Sequence, residues 1–361
     1  MTRILFRTDG SPEIGAGHLV RCATLAVELH RRGCEVCLAT SVGSGSAGWA
    51  LDLFPGDIHP LDPSSGLDDG GGPVSHASCL SWSQADDANA TRQLIDEELG
   101  ARPAWIVVDH YGLDARWHRA MSAHCHDLLV IDDLADRELH SSMVLDQNRA
   151  PDAGESAYRR VLTSPDGRIL SGPEWSLVRA AFLEGRRDFR PPPVPPRVLL
   201  MSGGSDVGGL ASECLKELSS LDFPVHIDVI TGSSEVAGEL ERKTSVGPHQ
   251  TLVHLAPEEP ARIMAEADVA ISAAGSTTWE LCCLGVPSML VQVAENQAHV
   301  LDQAVQAGAA DRLELSNLSA VRAFVTEALH DHEHLRSMRH AGQELVDGMG
   351  ASRVADLLLE E

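Results

Sequence analysis

Short apolar runs alternate with stretches of helical period along almost the whole chain, and that alternation leaves few folds open. Ile4, Leu5 and Phe6 form a first strand, residues 10–17 a glycine-bearing loop, and Leu19, Cys22, Ala23, Leu25, Ala26 and Leu29 recur at helical spacing until Gly33 stops the helix. Residues 35–40 read as the next strand. Strand, helix and strand in this order need a crossover, which a parallel sheet with helices on both faces accommodates. A helix over 86–99 precedes a strand over 105–109, and a helix over 115–124 precedes a strand over 128–133. Both of these strands are apolar runs ending in an aspartate. In an open parallel sheet the carboxyl ends face the ligand crevice, which places Asp109 and Asp133 near whatever binds.

The pattern then stops and restarts. Residues 191–196 hold five prolines, a stiff, extended connector without backbone donors. The expected organisation is an N-terminal domain over 1–190, a linker over 191–196 and a C-terminal domain over 197–361. The last helix, ending near Leu359, is free to pack back on the first domain. After the prolines come strands over 198–202, 225–231, 251–255, 269–272 and 288–293, with helices between and after them. The predicted fold class is therefore α/β, two doubly wound Rossmann-like domains facing a central cleft. Residues 41–75, rich in Gly, Ser, Asp and Pro, read as an exposed excursion, and the run 68–73 is unsuited to regular structure.

Charge narrows the partners. The 361 residues carry 28 Lys+Arg against 53 Asp+Glu, a net charge of −25. A surface this acidic repels nucleic-acid backbones and anionic lipid, so a phosphate site has to be built locally from backbone N–H groups and helix ends. Neither lysine, Lys216 or Lys243, sits in a motif. No apolar run reaches 18 residues, and the start becomes charged too early for a signal peptide, which points to a cytoplasmic protein. The eight cysteines are scattered, as reduced thiols are.

Three loops carry chemistry. Gly15-Ala16-Gly17-His18 lies where the first strand hands over to the first helix. Its glycines let backbone approach a ligand and its helix end attracts negative charge. The third glycine of the dinucleotide fingerprint is missing, Val20 standing in its place, which disfavours NAD. His18, a first-turn histidine at the mouth of a sheet, is expected to be partly exposed and suits a general base; the alternative is a histidine that merely bonds its neighbours. Gly203-Gly204-Ser205-Asp206 repeats the strand-loop-helix logic without the Lys-Ser/Thr of ATPases. It either touches a diphosphate or caps a helix through Ser205 or Asp206. In 272–280 a buried strand ends in small residues, and Gly275, Ser276 and Thr277 open a helix where N–H groups and hydroxyls suit a diphosphate. Glu280, one turn in, can accept two hydrogen bonds from the vicinal hydroxyls of a ribose. The alternative is a capping box with Ser276 or Thr277 as cap, which leaves the preceding glycine and alanines unexplained. Cys34-x-x-Cys37 and Cys282-Cys283 read as packing, and His124-Cys125-His126 as surface; no metal site is assigned.

The segments Phe6-Arg7-Thr8-Asp9-Gly10-Ser11, Ile14 to Cys22, Asp109 to Asp114, Ile131 to Arg137, Asp146-Gln147-Asn148, Leu170 to Arg179, Ser202 to Asp206 and Glu295-Asn296-Gln297 follow one another in a recognisable order. In these the chain resembles the UDP-sugar hydrolases of pseudaminic acid biosynthesis, which cleave UDP-2,4-diacetamido-2,4,6-trideoxy-β-L-altropyranose. The resemblance implies a glycosyltransferase B-like fold, with the nucleotide on the C-terminal half, and inverting hydrolysis at the anomeric carbon without metal or cofactor. It implies that His18 activates water, that Asp9 and Arg21 shape the site, that Tyr111 reaches the sugar, and that Asn296 and Gln297 join the substrate contacts. Residues 41–75 depart from the family pattern, and the acetamido contacts have no residue-by-residue match. UDP leaves readily, so the chemistry calls for one base and a cage of donors for the diphosphate. Two other readings stay open: a glycosyltransferase of the same fold using a UDP-amino sugar donor, and a nucleotide-sugar-binding subunit without activity.

Overall fold

The computed structural model describes residues 2–10, 15–41, 48–61, 76, 79–80, 82–201, 209–243 and 249–360. Contacts divide the chain into two compact units, Met1–Leu177 with Met349–Glu361, and Val178–Gly348. The first holds a seven-stranded parallel sheet: β1 (Arg3–Thr8), β2 (Glu35–Thr40), β3 (Asp57–Pro60), β4 (Trp105–Asp109), β5 (Asp127–Ile131), β6 (Met143–Asp146) and β7 (Arg168–Ser171), in the order β3-β2-β1-β4-β5-β6-β7. The second holds a six-stranded parallel sheet: β8 (Arg197–Met201), β9 (His226–Thr231), β10 (Gln250–Leu255), β11 (Val269–Ala273), β12 (Ser288–Val291) and β13 (Ala310–Leu313), in the order β10-β9-β8-β11-β12-β13. Two doubly wound α/β units are what the alternation of strands and helices predicts.

The strands form because their side chains find apolar partners on both faces. In β1, Ile4 and Phe6 join Leu25 and Leu29 of the helix Gly17–Arg31, while Leu5 joins Ile106, Trp117 and Met121 on the opposite face. Each fully buried side chain of this kind contributes about 1.5–3 kcal/mol. Cys34 and Cys37 divide between those two faces in the same way, Cys34 with Leu29 and Cys37 with Leu5. The helix Gly350–Leu359 belongs to the first unit, where Val354, Ala355 and Leu358 enter its core and the Leu358 carbonyl accepts the Trp105 indole N–H at 2.9 Å. Gly350 permits this docking, since a Cβ there would stand 2.3 Å from the Ser176 carbonyl oxygen.

Two features differ from the sequence expectation. Part of 41–75 is ordered: a 3₁₀ turn over Gly48–Leu53 leads to Phe54, which meets Phe6 edge-on at 5.5 Å, and β3 follows as an edge strand. The anchor is aromatic packing that composition does not register; the run 68–73 lies outside the described residues. The contacts divide before the prolines, because Val178 and Phe182 pack with Trp279 and Leu284, so 191–196 fall inside the second unit. Among the described residues no helix is long and apolar enough to cross a membrane.

In the first sheet the strand order reverses between β1 and β4, and in the second between β8 and β11. At such a switch point the connections leave to opposite faces and open a crevice at the carboxyl ends. Asp9, Asp109 and the first turn of Gly17–Arg31 all lie at the first of these points; the loop after β11 lies at the second.

Candidate active site

Asp109 ends β4 and is wholly buried. His18 and Arg21, three residues apart on one helix face, both turn toward it. His18 Nδ1 lies 2.5 Å from Asp109 Oδ1, Arg21 donates from Nε to Oδ2 at 2.5 Å and from Nη2 to Oδ1 at 2.6 Å, and the Cys22 thiol approaches at 3.7 Å. Burial alone would raise the Asp109 carboxyl, but the Arg21 guanidinium and the His18 imidazole outweigh it and hold the group well below the usual carboxylate range. Nδ1 also lies 3.1 Å from Arg21 Nη2, but the closer carboxylate outweighs that contact, so the proton sits on Nδ1 and Nε2 is the free nitrogen. Among the described residues no protein group bonds Nε2. His18 as a whole is only 6% exposed, less than its place in a first turn suggests, because the Tyr111 ring stands edge-on to it at 4.6 Å.

Tyr111 donates its hydroxyl to Asp133 Oδ1 at 2.6 Å, and Asp133 Oδ2 accepts from Asn148 Nδ2 at 3.0 Å and from Arg21 Nη1 at 3.4 Å. Arg21 thus joins the two strand-end aspartates. Burial and the adjacent Asp133 raise the Tyr111 phenol well above its ordinary value, so it remains a donor.

Asp9 serves a different network. Arg7, entirely buried, donates to both Asp9 oxygens at 2.6 and 2.9 Å and to Asp87 at 2.5 Å; Asp87 also takes the indole N–H groups of Trp82 and Trp117 at 2.9 and 2.8 Å. Thr40 Oγ1 and the Ser41 N–H complete Asp9 at 3.1 and 2.7 Å. His110 Nε2 lies 3.1 Å away but out of line for a hydrogen bond. Asp9 therefore ties the carboxyl ends of β1 and β2 together. Its oxygens are occupied, and among the described residues no hydrogen bond joins its carboxylate to His18 or Asp109. Gly15 adopts φ +81°, a conformation that favours glycine, and Gly17 opens the helix with empty space where a Cβ would stand. Arg7, Asp87, His110 and Asn148 have no assignment from sequence. A charged Arg7 inside an apolar strand was a usable signal for a buried partner; nothing local marks Asp87, 80 positions away.

In the second unit the chain leaves β11 through Ala274 and Gly275 into the helix Thr277–Leu284. Ser276 makes no side-chain cap, and the Glu280 carboxylate faces Arg179 Nη2 at 3.4 Å, so the capping box is not formed. The Thr278 and Trp279 N–H groups turn back to the Gly275 and Ser276 carbonyls at 3.0 and 3.1 Å. Among the described residues this leaves the Ser276 and Thr277 N–H groups unpaired, at the positive end of the helix dipole. Gln297 reaches the same loop: its Oε1 accepts the Val293 N–H at 2.9 Å, and its Nε2 lies 3.9 Å from where a Cβ on Gly275 would stand. Asn296 beside it is exposed. Burial raises the Glu280 carboxyl, with Arg179 opposing. Arg179 is the residue that sequence reasoning missed here. Gly203, Gly204 and Ser205 lie outside the described residues. Of the histidine-cysteine run, Cys125 enters the core while His126 is exposed. Among the described residues no group of three His, Cys, Asp or Glu side chains is arranged to hold a metal ion.

No family model matches the chain. It is similar to the spore coat polysaccharide biosynthesis protein SpsG of Bacillus subtilis, 25% identical over 205 residues that make up 55% of this chain and 60% of that protein. It is also similar to the uncharacterized protein MJ1062 of Methanocaldococcus jannaschii, 22% identical over 311 residues, 83% of this chain and 57% of that one. The chain thus spans less than two thirds of the length of these curated relatives. Among solved structures it resembles MurG of Acinetobacter baumannii, with TM-score 0.63 at 17% identity over 99% of each chain. It also resembles Phytolacca americana UGT2 complexed with UDP-2-fluoro-glucose and pterostilbene, with TM-score 0.64 at 14% identity over the whole of both chains. A UDP-N-acetylglucosamine 2-epimerase matches with TM-score 0.57 at 13% identity, over 99% of this chain and 96% of that one. The fold is of the glycosyltransferase B type, with two Rossmann-like α/β domains.

Proposed function

We propose that this protein hydrolyses a UDP-linked amino sugar at its anomeric carbon, with inversion and without metal, releasing UDP and the free sugar. The observation that carries the reading is the His18–Asp109 pair: an imidazole whose Nδ1 proton is held by a buried carboxylate and whose Nε2 has no protein partner among the described residues. That is the arrangement of a general base. Nε2 takes a proton from water as the water oxygen bonds to the anomeric carbon. The bond from that carbon to the diphosphate oxygen breaks, and its electron pair leaves with UDP. Asp109 stabilises the imidazolium that forms, and Arg21 keeps Asp109 ionised. In the second unit the unpaired Ser276 and Thr277 N–H groups suit the diphosphate, and Glu280 the ribose hydroxyls. Two names among the comparisons support a nucleotide-sugar substrate: the B. subtilis relative is a polysaccharide biosynthesis protein, and the Phytolacca enzyme holds UDP-2-fluoro-glucose. The diacetamido-trideoxy sugar is the substrate class that the family resemblance favours.

A glycosyltransferase is the second reading, favoured by fold neighbours that are themselves transferases. In it His18 deprotonates an acceptor hydroxyl instead of water. Incubation with UDP-2,4-diacetamido sugars in plain buffer and with chelator, following UDP release, separates the readings. Release without acceptor and undiminished by chelator is expected. Release only on addition of an acceptor establishes transfer, and tight UDP binding without turnover a binding protein.

A further inference from the structure

The second unit carries a separate cavity of about 730 Å³, inside the range of about 300–1,000 Å³ typical of small-molecule sites. Its floor includes residues 265–268 and Pro287, which immediately precede β11 and β12. It therefore opens at the amino edge of the second sheet, the opposite edge from Gly275 and Ser276; a five-residue strand such as β11 spans about 15 Å.

Four arginines line it: Arg186, Arg187, Arg190 and Arg339. Arg186 donates from Nε to the Cys283 carbonyl at 2.7 Å and from Nη2 to the Val346 carbonyl at 2.8 Å; Arg339 donates from Nη1 to the Gly285 carbonyl at 3.2 Å and from Nη2 to the Arg187 carbonyl. Capping of helix ends accounts for those donors. It does not account for Arg186 Nη1 or Arg339 Nε, which have no protein partner among the described residues. Neither guanidinium has a carboxylate within ion-pair reach among the described residues. The acids in the lining are engaged elsewhere or solvated. Glu266 binds Arg197 at 2.8 Å and also pairs with Arg187 at 3.9 Å, Asp268 binds Arg197 at 2.7 Å, and Asp188 is exposed. Burial lowers the Arg339 guanidinium; the Asp188 carboxylate opposes this and the neighbouring Arg186 adds to it. Phe189, held under Arg336 at 4.9 Å, and Leu335 give the cavity an apolar side.

In a chain of net charge −25, two arginines in one cavity wall with no carboxylate paired to either among the described residues suit an anion. We infer that this cavity binds an organic phosphate, its phosphoryl group between Arg186 and Arg339 and its apolar body against Phe189 and Leu335. The site is distinct from the carboxyl-edge loop of the same sheet and does not depend on the reaction proposed above.

The test is calorimetric titration of the full chain with phenyl phosphate in phosphate-free, low-salt buffer, with inorganic phosphate and phenol as comparators. One saturable site tighter than about 1 mM is expected for phenyl phosphate, with both comparators weaker. Arg339→Gln should weaken it about tenfold, as should the exposed pair Arg187→Ala/Arg190→Ala, while Glu280→Ala leaves it unchanged. If Arg339→Gln does not fold, the exposed pair decides. The inference is overturned by the absence of saturable binding, by affinity indifferent to the arginine variants, by loss of binding in Glu280→Ala, or by inorganic phosphate binding as tightly as phenyl phosphate.

Discussion

The carboxyl edges of the two sheets are made of opposite materials. At the first, ionised side chains satisfy one another: Asp109 takes donors from His18, Arg21 and Cys22, and Arg21 reaches on to Asp133, all buried or nearly so. At the second, small residues and a helix end present backbone N–H groups with nothing on them among the described residues, beside an exposed Asn296. The first edge is organised before any ligand arrives, which is what a reacting group requires. The second is left incomplete, which suits a ligand that brings its own charge.

The sharpest break of this contrast is in stability. Asp109→Ala leaves Arg21 buried without its main partner and is expected to cost about 3–5 kcal/mol in urea unfolding. Ser276→Ala and Thr277→Ala, whose side chains cap nothing, should stay within about 0.5 kcal/mol of the parent. A loss at Asp109 no larger than at Ser276 removes the distinction. In ligand binding the ranking reverses: Glu280→Ala is expected to weaken UDP by about 1.5–3 kcal/mol, read by calorimetry, for lost hydrogen bonds to a charged group. An unchanged UDP dissociation constant contradicts the role given to Glu280.

The smallest effect separates the units by pH. His118, fully buried in the first unit with its Nδ1 accepting the His140 N–H at 3.3 Å, is pushed down from 6.5 to about 3, by burial first and Arg137 second. Its folded value lies below the unfolded one, so the unfolded chain binds more protons between them. The stability contributed is complete above about 6.5 and is lost as the pH falls toward 3. By pH 5.5 the loss is on the order of 1 kcal/mol. Asp9 and Asp109 are depressed carboxylates whose contributions persist to much lower pH. His118→Gln should therefore flatten the fall in Tm between pH 7.5 and 5.5; an unaltered slope assigns the acid sensitivity elsewhere.

What the sequence disclosed follows the same division. Periodicity exposed the βα series, and local signals singled out His18 in a first turn and Asp109 at a strand end, but that the two pair was not legible, since they lie 91 positions apart. Arg7 with Asp87, Asn148 with Asp133 and Arg179 with Glu280 were not legible, since each pairing joins separate elements that no local pattern connects. The strands β3, β6, β7 and β13, each four residues long, went unread, whereas the equally short β12 was read from sequence. The prolines of 191–196 are the loudest compositional break, yet burial of Val178 and Phe182 decides where contacts divide. Asp9 was read as shaping the site; in the structure its carboxylate fastens two strand ends.

The most direct test is the rate of acceptor-free UDP release from a UDP-2,4-diacetamido sugar by the parent and by His18→Asn, with the UDP dissociation constant measured in parallel. The account predicts a fall in rate of about 100-fold or more while UDP affinity changes little. Full turnover in His18→Asn, or a loss of rate matched by an equal loss of UDP binding, contradicts it.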